Sequence, residues 1–92
     1  MNIEEALVAE LKKNGWRTGL LVMKNVKTEQ FEELPVNEDG LISELVPDKP
    51  RGASLRGWLV RGWMPEQICL NHDVPCVPIS PELASACRES AS

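Results

Sequence analysis

Two amphipathic stretches of this chain each run into a Gly-Trp pair, Gly15-Trp16 and Gly62-Trp63, and these endings set the helical frame of the fold. A glycine just past a helix takes the left-handed conformation that other residues resist, and the residue after it packs back on the last turn. Ahead of the first pair, Asn2-Ile3-Glu4-Glu5 has the form of a helix start: Asn2 accepts a free backbone N–H, and Glu5 sits three residues on. Ile3, Leu7 and Leu11 follow at i, i+4 and i+8, with Ala6 widening the stripe. Lys12 and Lys13 suit the negative end of the helix dipole. A helix over 3–13 is therefore expected, closed by Gly15, with Trp16 packing on Leu11. Ahead of the second pair, Ser54 is an N-cap. At about 100° per residue, Leu55, Trp58, Leu59, Gly62 and Trp63 share one side of the helix it starts. Arg56, Gly57, Val60 and Arg61 occupy the other side, and Pro65 reads as a stop.

Strand signals fill the gaps. Residues 17–26 contain the run Leu20-Leu21-Val22-Met23, and 29–36 alternate Phe31, Leu34 and Val36, which predicts an antiparallel hairpin turning at Asn25–Thr28. Asn37–Gly40 is a turn. Leu41–Val46 fits a short helix or a strand, and Pro47 to Pro50 breaks it. A second hairpin is expected from Gln67–Leu70 and Val74–Ile79 around Asn71-His72-Asp73, with Pro75 and Pro78 on an edge. Ser80-Pro81 caps a short helix over 82–87, and 88–92 reads as a frayed tail. The fold class is thus α+β in a single domain, residues 1–92. With four aromatic residues and no Tyr, its core must be mainly Leu, Val, Ile and Ala.

The pattern Leu55-x-x-Trp58-x-x-x-Gly62-x-x-Pro65, followed by Val77-Pro78-Ile79, resembles the winged-helix module of phage excisionases and MerR-like regulators over residues 41–85. The resemblance implies a helix–turn–helix–wing half, with Trp58 anchoring a recognition helix, Gly62 ending it and Pro65 leading into a β-hairpin wing. It also implies a small regulator of phage or mobile-element type. DNA would be met by Arg56, Val60 and Arg61, and phosphate by Arg51 and Ser54. Residues 1–36, the helix and first hairpin, have no place in that module and read as an appendage for dimerisation or partner binding.

Charge sets a second reading against the first. Residues 1–50 carry six Lys/Arg against ten Asp/Glu, while 51–92 carry four of each, for a net charge of −4. An acidic chain is repelled by nucleic acid, so DNA contact rests on the basic segment 51–61 alone. The alternative is an acidic protein-binding inhibitor, antirepressor- or antitoxin-like, using Phe31, Glu32 and Glu33 with Trp63 and Met64 as apolar anchors. A small regulator of either kind is expected to be a homo-oligomer.

Catalysis is not expected. A Cys–His pair drawn from Cys69 or Cys76 with His72 lacks an orienting acid and an oxyanion loop, and no glycine loop fits a phosphate. Cys69, His72, Cys76 and Cys87 supply four zinc-type ligands, but without paired C-x2-C knuckles. Cys69 and Cys87 read as small buried hydrophobes, and no metal or other cofactor is expected. Three cysteines, an odd number, with no signal-peptide plan at the N-terminus predict reduced thiols and a cytoplasmic protein. No apolar run approaches a membrane span.

Overall fold

A computed structural model describes residues 2–41, 54–70 and 76–91. The architecture is α+β. Helix α1 (Ile3–Lys13) leads into β1 (Thr18–Asn25), β2 (Phe31–Asn37) and β3 (Gly40–Leu41); α2 (Leu55–Val60), β4 (Trp63–Cys69), β5 (Cys76–Pro78) and α3 (Pro81–Ala91) follow. The five strands form one antiparallel sheet in the order β3-β2-β1-β4-β5.

Helix α1 has the bounds and caps read from the sequence. Asn2 Oδ1 accepts from the Glu5 N–H at 2.8 Å. At the other end Gly15, at φ 76°, donates to the Lys12 carbonyl and Trp16 donates to that of Leu11, the paired closure that a left-handed glycine permits. Ile3, Ala6, Leu7, Glu10 and Leu11 form its buried stripe. The first hairpin also matches, with Leu21 opposite Leu34 and Gly19 opposite Val36. Its turn is held by Asn25, whose Oδ1 accepts from the N–H groups of Lys27 and Thr28.

The second half departs from the helix–wing expectation. Ser54 caps α2 as expected, its Oγ accepting from the Gly57 N–H at 3.1 Å, and Gly62 follows the helix at φ 95°. Yet α2 stops at Val60, and Trp63 opens β4 instead of closing the helix. Pro65 lies inside β4, buried, at a register shift against β1, where a bulge tolerates its missing N–H. β4 and β5 form the expected second hairpin with Pro78 on the edge strand, and β4 also pairs with β1 along most of its length. Residues 1–36 are no appendage, since β1 is the central strand and α1 packs into the same core. Nor does the chain fray from 88: α3 continues to Ala91 because Ser80 Oγ accepts from Leu83 N–H, Pro81 starts the first turn, and Leu83, Ala86 and Cys87 bury its inner face. Residues 42–53, including the break at Pro47–Pro50, and the Asn71–Asp73 turn with Pro75 lie outside the described residues.

One core holds these elements together. Leu21 and Met23 from β1, Leu34 and Val36 from β2 and Ile68 from β4 share a sheet face by strand alternation. All five join the buried stripes of α1, α2 and α3 in a single cluster. The three helices therefore lie on one side of the sheet.

Candidate functional site

A chain folded this way presents two surfaces that bear on the readings above: the solvent side of α2, and the sheet face turned away from the helices.

On α2, helical periodicity sorts the side chains as expected. Leu55, Trp58 and Leu59 are buried, whereas Ser54, Arg56, Val60 and Arg61 are exposed. Arg51 lies outside the described residues. One of the two exposed arginines has an acidic partner. Arg56 Nη2 stands 3.6 Å from Glu4 Oε2 on α1, an ion pair with both side chains more than half exposed. Ser54 spends its hydroxyl oxygen on the Gly57 N–H.

The open sheet face is organised in rows by the register. Phe31 of β2, Lys24 of β1 and Met64 of β4 stand side by side. Glu33, Val22, Gln67 and Pro78 form the next row, and Pro35, Leu20, Cys69 and Cys76 the third. Phe31 is 59% exposed, and Lys24 Nζ sits 5.7 Å from its ring centroid, a cation over an aromatic face. Leu20, Val22 and Pro35 are half-buried and outside the core cluster, whereas Met64, also half-buried, packs against that cluster.

The five residues of the acidic protein-binding reading are divided by this register. Phe31, Glu33 and Met64 share the open face. Glu32 is paired with Met23 and belongs to the helix side. Trp63 is no exposed anchor: half-buried, it meets buried Trp58 edge-on, ring centroids 5.3 Å apart and planes at 74°. The sequence reading missed Lys24, Val22, Leu20 and Gln67. Their signal was the unbroken apolar run Leu20–Met23, since a strand with one wet face alternates and one with two occupied faces does not.

The cysteines differ from the reduced state expected. Cys69 and Cys76 face each other across β4 and β5 and form a disulfide. Hairpin register brings them together, which an odd cysteine count does not reveal. Bonded to each other, they present no thiolates to a metal. Cys87 lies in the core under α3, on the other side of the sheet, and its burial pushes the thiol up to about 11 against a weaker opposing pull from Arg88. His72 lies outside the described residues. Among the described residues no three His, Cys, Asp or Glu side chains converge on a metal site.

On the helical side, an open groove of about 300 Å³ between α1 and α3 is lined by Ala6, Ala9, Glu10, Lys13, Ser80 and Glu82. Its one buried acid, Glu10, is committed: Oε2 accepts from the Ser80 N–H at 3.0 Å, at the start of α3. Among the described residues, no helix is long and apolar enough to cross a membrane. No protein-family model, curated protein or solved structure matches this chain.

Proposed function

We propose that this chain is a small, non-enzymatic, cytoplasmic regulatory protein of phage or mobile-element type that binds and inactivates a partner protein through its open sheet face. The observation that carries the reading is the Phe31–Lys24–Met64 row. A large aromatic ring stands 59% exposed at its end, flanked by half-buried apolar neighbours and by Glu33. Exposed aromatics beside apolar side chains are the usual anchors of protein interfaces. The net charge of −4 supports a protein partner over a polyanion. A homo-oligomer is part of the proposal, as symmetric assembly is common for small regulators.

DNA binding through α2 is the second reading. It is favoured by the exposure of Ser54, Arg56, Val60 and Arg61 along one short stretch. Counterion release separates the two. If arginines meet phosphates, affinity for generic duplex DNA must fall steeply with salt. We expect no measurable duplex binding at low salt. From a host lysate, we expect the wild-type chain and an Arg56→Ala/Arg61→Ala variant to retain the same identified protein, and Phe31→Ala to lose it. Salt-sensitive duplex binding that disappears in the double arginine variant would overturn the protein-partner reading in favour of DNA.

A further inference from the structure

We infer that the Cys69–Cys76 crosslink is a thiol–disulfide exchange site, at which a dithiol reductant attacks Cys76 and frees β5 from the sheet. Two features of its position carry this. The bonded sulfurs belong to residues of opposite accessibility: Cys69 is 2% exposed, whereas Cys76 is exposed at the sheet's edge. An incoming thiolate therefore has one residue to approach. The strand that the bond secures is also slight. β5 has three residues, pairs among the described residues with β4 alone, and includes Pro78, which has no N–H to donate. Beyond the paired residues, Ile79 N–H donates to the Glu66 carbonyl at a long 3.4 Å. Exposed disulfides are the labile ones, and in reducing compartments those that form are transient or redox-sensing.

The exchange balances without further components. A thiolate of the dithiol attacks Sγ of Cys76, the Cys69–Cys76 bond breaks, and Cys69 leaves as a thiolate that takes up a proton. The second thiol of the reductant then attacks the mixed disulfide, leaving the reductant oxidised by two electrons and Cys76 as a thiol. No thiol of this chain competes, because Cys87 is buried on the far side of the sheet. Release of β5 does not undo the fold. α3 is fastened on its own account by Leu83, Ala86 and Cys87 in the core and by Glu10 at its first turn. β4 keeps its register with β1. What changes is the row Pro35–Leu20–Cys69–Cys76, which loses its outermost member.

Hydrogen exchange on the oxidised chain and on the chain reduced with dithiothreitol tests this. Under native conditions the reduced chain should show exchange at Cys76, Val77 and Ile79 faster by at least roughly tenfold. α1, β1 and β2 should remain as protected as before. Alkylation of the reduced chain should mark two thiols, Cys69 and Cys76, and spare Cys87. Cys76→Ser should show the reduced pattern without reductant; if that variant does not fold, the reduced wild-type chain decides. Unchanged exchange at Ile79, resistance of the bond to dithiothreitol in the folded chain, or loss of protection throughout the molecule would each overturn the inference.

Discussion

Gly19 of β1 lies close against both α1 and β4. A Cβ built there would lie 2.9 Å from the carbonyl oxygen of Cys69 and 3.4 Å from Leu11 Cδ2. The first of these atoms is backbone within the sheet and cannot swing aside, so even one methyl group must push the strands apart or lift the helix. Gly19→Ala is expected to destabilise the fold by about 1–3 kcal/mol, read as a lower midpoint in urea unfolding. The same crowding explains why this glycine escaped attention in the sequence. Its meaning depends on Cys69, fifty residues away along the chain. Glu10 is a similar case. In sequence it is one more acid on an amphipathic helix, and only the docking of α3 turns it into an acceptor for the Ser80 N–H.

Elements were legible where their signals are local. α1 carries both caps in its own sequence, Asn2 at the start and Gly15 at the end, and its bounds follow from them. The β1–β2 hairpin is legible for the same reason, through Asn25 and the alternation of Leu34 and Val36. Within that turn Glu29 is the one described non-glycine residue in the left-handed region, at φ 63°. An L side chain there costs on the order of 1 kcal/mol relative to glycine. Glu29→Gly should therefore stabilise the hairpin by about 0.5–1 kcal/mol, after allowance for the greater freedom of glycine in the unfolded chain, and raise the thermal midpoint. β4 was not legible. Gly62-Trp63 repeats the ending of α1, and Pro65 reads locally as a stop. What makes 63–69 a strand is the unpaired edge of β1, a partner about forty to fifty residues earlier. The candidate site shares that fate: Phe31 and Met64 are neighbours only once Lys24 lies between them.

Across the whole molecule, Cys87 reports on the integrity of the core. Its thiol sits among the residues that join the helices to the sheet, and burial pushes it up to about 11 from 9.0. In the unfolded chain the thiol ionises from about pH 9, whereas in the folded chain it holds its proton until near pH 11. Between those values proton release favours the unfolded state. Below pH 9 this group leaves stability unchanged; as pH climbs to 11 it should remove on the order of 1–2 kcal/mol. Urea unfolding at a series of pH values, compared with Cys87→Ala, isolates the effect, because the variant lacks that loss while every other titration is shared.

The order β3-β2-β1-β4-β5 puts the earliest strand in the middle of the sheet. During synthesis, α1, β1 and β2 leave the ribosome together, and the hairpin closes on local contacts. One side of β1 then stays open until residues 63–69 emerge, and through that interval it can pair with any extended segment nearby. The nascent chain is thus exposed to mispairing along the strand that becomes its most enclosed, until β4 arrives to cover it, with β5 and α3 still to come.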